Sequence, residues 1–137
     1  MKRMIINKYG GPENLTLDEA AAPNIKDQSV RIKIANIGVN FADTLVIRGR
    51  YQERPRPPFS PGLELSGTII EIGSKVKNLQ TNDRVIGIAK YGTYCDEIVM
   101  PAENVYKIPN SMDFVTAASF PVAYGTAFGA IDWKGQL

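Results

Sequence analysis

Short β-type segments separated by glycine- and proline-marked turns make up most of this sequence, and they constrain its fold more than any other feature. Residues 30–35 alternate apolar and charged side chains, as a strand with one buried face does. Similar short segments lie on both sides of it, at residues 4–6, 15–17, 65–72, 84–88, 93–100 and 105–108. Many short strands at this spacing predict a mainly β protein of the barrel or sandwich type.

A short helix is predicted at residues 41–47. Asn40 is a favourable N-cap, Asp43 stands three residues later as in a capping box, and Gly49 follows the helix end. The next stretch, residues 51–61, is rich in proline and predicts a stiffened surface loop without regular structure.

The end of the chain changes character and predicts two further helices, separated by Pro121. No uninterrupted apolar run approaches the ~20 residues that cross a bilayer. We therefore expect no membrane span and a cytoplasmic location. The 137 residues suggest one domain, and the net charge of +2 comes from 16 basic and 14 acidic residues mixed along the chain, which disfavours nucleic-acid binding.

The absence of histidine excludes several kinds of catalytic site. A Ser-His-Asp triad, a Cys-His pair and a histidine general base are all excluded. The lone cysteine, Cys95, cannot form a disulfide within the chain, and one cysteine without histidine does not supply the usual zinc ligand sets. We interpret Cys95 as a structural residue in a reducing compartment.

Three segments carry candidate site residues, each with a structural alternative. Asn40 and Asp43 either cap a helix or place an amide and a carboxylate beside a pocket. Tyr51 either packs under the proline loop or lies against a planar ligand. The small residues of segment 123–129 either allow tight helix packing or admit a ligand, and their glycine spacing does not match a dinucleotide-binding fingerprint.

Taken in order, these pieces resemble the N-terminal half of the medium-chain dehydrogenase/reductase superfamily. They are most similar to its zinc-free quinone oxidoreductases of the zeta-crystallin type. The resemblance covers nearly the whole chain and rests on the segments NIGVNFAD, RGRY, PPFSPGLELSGTIIEIGSKVKNLQTNDRVIG, GTYCDEIVMPAENVYKIP and AASFPVAYGTAF.

The resemblance implies that this chain lacks the zinc site of related alcohol dehydrogenases. In the zinc enzymes, a cysteine ligand stands at the position of Asn40 and a histidine ligand at the position of Leu63. Neither asparagine nor leucine reproduces those ligands. We therefore expect no metal site.

The resemblance also implies a fold and a longer parent. It predicts a GroES-like, partly open β-barrel for residues 1–137, with residues 123–137 leading into a Rossmann domain that this chain lacks. We therefore expect a fragment or a truncated product of an NADPH-dependent enzyme. The parent would be a homodimer that transfers hydride to a small-molecule quinone or activated enone, and this chain alone would be inactive.

The family assigns roles to six residues. Asn40 and Tyr51 would be catalytic and would contact the cofactor, and Thr126 would lie near the nicotinamide ribose and carboxamide. Asp43, Arg48 and Glu64 would support them. Two other hypotheses remain open: a non-enzymatic GroES-like binding or oligomerisation module, and a zinc alcohol dehydrogenase.

Overall fold

An antiparallel hairpin begins the chain in the computed structural model, which describes residues 1–136. Its strands are β1 (Lys2–Ile6) and β2 (Leu15–Glu19), joined through a short 3₁₀ turn at Pro12–Asn14. The register places Met4 opposite Leu17 and Ile6 opposite Leu15.

A five-stranded antiparallel sheet forms the body of the molecule. Its spatial order is β6-β3-β4-β5-β7, and its strands are β3 (Ser29–Gly38), β4 (Glu64–Ile72), β5 (Arg84–Ile88), β6 (Glu97–Pro101) and β7 (Val105–Lys107). The sheet does not close, because β6 and β7 lie at opposite edges. Isolated bridges at Arg3–Cys95 and Ile6–Phe59 attach the hairpin. The predicted mainly β, partly open architecture is confirmed.

Two buried clusters hold this fold together. In β3, Val30 and Ile32 are fully buried while Lys33 is exposed, so the alternation seen in the sequence sorts the two faces of the strand. The larger cluster lies inside the sheet and consists of Val30, Ile32, Leu65, Ile69, Val85, Met100 and Val105. The smaller cluster lies between the hairpin, the first helix and the proline-rich loop, and consists of Ile6, Val46, Ile47 and Phe59.

Helix α1 (Phe41–Ile47) begins and ends as the sequence predicts. The backbone N–H of Asn40 donates to Asp43 Oδ2 at 2.7 Å, which is one half of a capping box. Gly49 follows the helix with φ of +66°, a left-handed conformation that glycine adopts without a Cβ clash. The proline-rich loop then returns the chain to the sheet.

The boundaries of β6 differ from the prediction of a strand over residues 93–100. The observed strand begins at Glu97, since the backbone tightens before it. The N–H of Cys95 donates to Thr93 O at 2.8 Å, which is a local turn contact and not a ladder bond.

The prediction of two helices at the end of the chain was also wrong. A single helix, α2 (Phe114–Phe128), passes through Pro121 and continues as a π-helical segment, Gly129–Lys134. Proline removes a backbone donor and disturbs the preceding turn. Here the next donor, Val122 N–H, bonds to Glu64 Oε2 at 2.8 Å, so the helix continues without an unpaired group at that position.

The continuous helix also bears on the expectation that no apolar stretch is long enough to cross a membrane. Phe114–Lys134 is 21 residues long and contains an 18-residue window with a mean hydropathy of 1.4, so by length and composition it could cross a membrane. Only 11% of that window is buried within the chain. A helix covered by the rest of a larger soluble protein meets the same criteria, so the finding identifies an uncovered apolar surface.

Candidate active site

A cavity of about 430 Å³ lies between the start of the proline-rich loop, the β4–β5 pair and α2. Its wall comes from four separate segments of the chain: Tyr51, Gln52 and Glu53; Leu63; Ile88, Ala89 and Lys90; and Pro121, Val122, Gly125 and Thr126. Two of the predicted site residues, Tyr51 and Thr126, therefore meet in one cavity. Leu63, the predicted replacement of a metal ligand, lies beside them.

The lining of this cavity is mostly apolar, with a few polar side chains. Leu63 is only 8% exposed, and it forms part of an apolar wall with Ala89 and Val122. Tyr51 and Thr126 contribute hydroxyl groups, each able to donate or accept a hydrogen bond. Such a lining suits a largely apolar small molecule with a few polar atoms.

Tyr51 has a packing role in the structure, and its contact with a planar ligand stays a prediction. It packs against the smaller buried cluster, and it also lines the cavity. At the rim, Lys90 Nζ lies 2.8 Å from Glu53 Oε1, and both side chains are well exposed. An exposed pair of this kind contributes little to stability.

Asn40 is linked through Glu64 to Val122 in the cavity wall, and it is held by two carboxylates. Its side-chain Nδ2 donates to Glu64 Oε1 at 2.8 Å, while its backbone N–H donates to Asp43 Oδ2. Among the described residues, those that line the cavity do not include Asn40. Its predicted contact with cofactor and substrate stays a prediction, and one of its two side-chain N–H groups is already used.

Glu64 joins three elements at one point. The residue is 2% exposed, begins β4, and accepts from Asn40 at the start of α1 and from Val122 within α2. A Cβ built on Gly38 would overlap its carboxylate, so only glycine leaves room there. The contact with Val122 was missed from the sequence, where Pro121 was the only signal of a freed donor.

Asp43 is buried below this arrangement, with 1% exposure. Burial raises the pKa of its carboxyl, while hydrogen bonds from the Asn40 N–H and from Tyr94 Oη, the latter at 3.2 Å, oppose that rise. Burial and the neighbouring Asp43 in turn raise the pKa of the Tyr94 hydroxyl, which remains a hydrogen-bond donor. Asp43 thus stabilises the N-terminus of α1 by accepting a hydrogen bond from the Asn40 N–H.

Asp43→Asn should gain stability relative to the wild type as the pH rises above about 4, the usual pKa of an aspartate. The pKa of Asp43 is raised in the folded chain, so protonation of its carboxyl stabilises the wild type. This stabilisation is fully present below the unfolded pKa and is lost as the pH rises through the folded pKa. The asparagine keeps an acceptor oxygen but no charge. Urea unfolding across this pH range measures the difference.

The control for this variant is Asp132→Asn, since Asp132 is solvent-exposed. It should follow the wild-type pH profile. A constant stability difference between Asp43→Asn and the wild type over the whole range would contradict the prediction.

Arg48 and Cys95 lie away from the cavity. Arg48 is exposed and donates from Nη1 to Thr44 O at 3.1 Å, so its side chain folds back along α1. Burial raises the pKa of the Cys95 thiol to about 11, and its Sγ bonds to Gly92 O. Within residues 1–136, no group of three or more carboxylate, cysteine or histidine side chains is placed to hold a metal ion.

The contribution of β5 to the cavity was also missed from the sequence. Antiparallel pairing sets Ile88 opposite Glu64, which brings the end of β5 next to Leu63. No local motif marks Ile88, Ala89 or Lys90. Their role follows from strand register, which a short segment does not reveal by itself.

The fold and the match to a known family together define the class of the protein. Residues 26–110 match the alcohol dehydrogenase GroES-like domain, and the chain belongs to this family. The family assignment made from the sequence is confirmed.

Particular relatives are quinone oxidoreductases and related proteins. The chain is 39% identical to quinone oxidoreductase-like protein 2 of Rattus norvegicus, over 90% of this chain and 35% of that protein. The crystal structure of the human synaptic vesicle membrane protein VAT-1 homolog-like protein superposes with a TM-score of 0.96 at 33% identity, covering 100% of this chain and 44% of the other. Escherichia coli quinone oxidoreductase complexed with NADPH gives 0.91 at 27% identity, over 96% and 40%. The chain thus spans well under half the length of these relatives.

Proposed function

We propose that this chain is the N-terminal, catalytic part of a longer NADPH-dependent oxidoreductase that reduces a quinone or an activated enone without zinc. The observation that carries the proposal is the convergence of Tyr51, Leu63 and Thr126 on one cavity. These residues come from distant segments, and the family resemblance assigns a site role to each of these positions. Similarity to quinone oxidoreductases, one of them complexed with NADPH, supports the choice of reaction.

The cavity fits the nicotinamide end of NADPH better than its phosphate end. Apolar side chains such as Leu63 and Val122 match a flat ring, and the Thr126 hydroxyl can bond to a carboxamide or a ribose oxygen. The sequence has no strand followed by a glycine-rich phosphate loop. We assign the binding of the phosphates to the remaining part of the longer protein.

NADPH, when bound, supplies the hydride, and the residues of this chain orient and polarise the acceptor. The Tyr51 hydroxyl donates to the acceptor oxygen, where negative charge develops during hydride transfer. Leu63 and its apolar neighbours exclude water from the reacting group. Asp43 and Glu64 hold Asn40 at the edge of the cavity, where its remaining side-chain N–H can serve as a further donor.

Zinc independence rests on the donor atoms at the two replaced ligand positions. Leu63 has no donor atom and is nearly buried, so it cannot replace a histidine ligand. Asn40 already gives its Nδ2 to Glu64. A conjugated acceptor takes up electron density through its own carbonyl, so hydride transfer to it does not require a metal.

The exposed apolar side of the C-terminal helix supports a longer protein. Tyr124, Phe128, Ile131 and Trp133 are 55–74% exposed, which is unusual for so many large apolar side chains on one segment. We propose that the rest of the longer protein covers this surface. A homodimeric assembly and a cytoplasmic location remain predictions for that protein.

Tyr51→Phe in the longer protein should lower kcat for NADPH-dependent quinone reduction by about 100-fold, because it removes a donor to the developing oxyanion. Thr126→Val should instead raise the KM for NADPH, by up to about tenfold, because it removes one neutral hydrogen bond. Steady-state oxidation of NADPH, followed by its absorbance, measures both. Tyr106→Phe is the matched control, since Tyr106 lies on β7 and outside the cavity, and it should leave both constants unchanged.

Three outcomes would contradict the proposal. Enzyme-like turnover by the 137-residue chain alone would show that it is not a partial enzyme. Stoichiometric zinc in the purified longer protein would favour an alcohol dehydrogenase. A stable ring-shaped oligomer of this chain in size-exclusion chromatography, with no NADPH binding by the longer protein, would favour a non-enzymatic GroES-like module.

A further inference from the structure

We propose that Glu64 is a positioning residue that fixes the side-chain amide of Asn40 and the part of α2 that carries Thr126. One carboxylate oxygen accepts from Asn40 Nδ2 and the other from the Val122 N–H, each at 2.8 Å. The effect of Glu64 on catalysis rests on the proposed function. The arrangement itself is a property of this chain.

The chemistry of the carboxylate determines how Asn40 is oriented. Both of its oxygens act as acceptors here, so Asn40 must present its NH₂ group and not its carbonyl oxygen. The alternative amide orientation would set an oxygen against an oxygen. Glu64 therefore determines which polar atom of Asn40 remains available at the edge of the cavity.

The second contact compensates for the proline in α2. Pro121 has no backbone donor and disturbs the helical bonding of its neighbours, which leaves the Val122 N–H available to Glu64. Thr126 follows one helical turn later. A shift of the Val122 backbone would consequently move the Thr126 hydroxyl within the cavity.

The position of Glu64 is itself constrained on several sides. It is 2% exposed, and Gly38 packs directly against its carboxylate because a Cβ there would overlap it. Two residues along the same face of β4, the Ser66 hydroxyl donates to Phe114 O at 2.6 Å, near the start of α2. Ser66 also ties α2 to β4, but no hydrogen bond between the Ser66 and Asn40 side chains is present among the described residues.

The test compares three variants of the 137-residue chain by NMR. Glu64→Leu replaces the carboxylate by an apolar side chain of similar size that has no acceptor, so both bonds are lost. We expect the Asn40 side-chain amide resonances to shift and the Val122 N–H to exchange with solvent at least about tenfold faster. Ser66→Ala is the matched control: it loses a bond between β4 and α2 and should leave the Asn40 side-chain resonances in place.

The third variant, the exchanged pair Asn40→Asp with Glu64→Gln, should restore the protection of Val122. The introduced glutamine can accept from the Val122 N–H through its carbonyl oxygen while its amide donates to the introduced aspartate, so both bonds are reconstituted with the charge moved to the other partner. Recovery of the Val122 protection in the exchanged pair would show that loss of the specific bond, and not a general loss of packing, causes the faster exchange. In the longer protein, the same variant should keep its fold and still turn over more slowly, because the Asn40 donor is gone.

A measurement on the wild type makes the outcome independent of how well the variants fold. Scalar couplings across the hydrogen bonds should connect the Val122 and Asn40 nitrogens with the Glu64 carboxylate carbon. Absence of both couplings would overturn the inference, as would unchanged Asn40 and Val122 signals in Glu64→Leu. These readouts use no cofactor or substrate, so the inference about positioning and the proposed reaction can fail separately.

Discussion

Gly38→Ala should lower the free energy of unfolding by about 3 kcal/mol or more, one of the two largest effects that we expect for this chain. The new methyl group would overlap the Glu64 carboxylate, whose Cγ lies 2.5 Å from the ideal Cβ position. The carboxylate would have to leave Asn40 and Val122, and a buried charge without its donors is costly. Urea unfolding followed by circular dichroism measures the loss.

Gly129→Ala is the control for the effect of the added methyl group. Gly129 has a helical backbone conformation, and a Cβ there meets nothing within 4 Å. Alanine should be neutral at this position or stabilise the chain by up to about 1 kcal/mol. If Gly38→Ala were as stable as Gly129→Ala, the close approach of Gly38 to Glu64 would be wrong.

Leu65→Ala should cost about 2–5 kcal/mol, the second large effect. Leu65 is fully buried in the central strand β4 and belongs to the larger apolar cluster, so truncation leaves a cavity that rigid strands on both sides do not fill. Chemical denaturation gives the difference in free energy of unfolding, provided that the slope with urea is unchanged.

Leu17→Ala provides the comparison for Leu65→Ala. Leu17 lies on β2 of the hairpin and is 66% exposed, so the same change of side chain should alter stability by no more than about 0.5 kcal/mol. Similar losses for both variants would contradict the assignment of the main core to the five-stranded sheet.

The sequence predicts those parts of the fold that local physical chemistry determines. The alternation in residues 30–35 depends only on the pleat of a strand, and β3 forms there. The Asn40–Asp43 capping box and Gly49 act within a few residues of each other, and α1 has the predicted boundaries. In each case the interacting groups are close in sequence, so no knowledge of the tertiary structure is needed.

The errors arise where distant segments decide the outcome. Pro121 predicts a helix break on local grounds, but the Glu64 carboxylate, 58 residues from Val122, bonds to the next donor and the helix continues. The start of β6 depends on a turn at Thr93 that the apolar pattern does not reveal. The C-terminal segment therefore forms one long helix with an uncovered apolar surface.

The candidate site was predicted in part. Tyr51 and Thr126 meet at the cavity beside Leu63, whereas Asn40 is linked to its wall through Glu64 and Arg48 folds away along α1. Motifs locate residues along the chain, but side-chain direction follows from bonds such as the one between Arg48 and Thr44 O. The roles of Asn40, Tyr51 and Thr126 in hydride transfer remain predictions that the kinetic experiments test.

The environment of Cys95 makes the chain convenient for chemical labelling. Because burial raises the pKa of this thiol to about 11, little of it is ionised at neutral pH, and the thiolate is the form that reacts with maleimides and spin labels. A cysteine introduced at an exposed position would react far faster than this native thiol. Distances between two such labels, one on the proline-rich loop and one on α2, would then report the width of the cavity in solution without removal of the native cysteine.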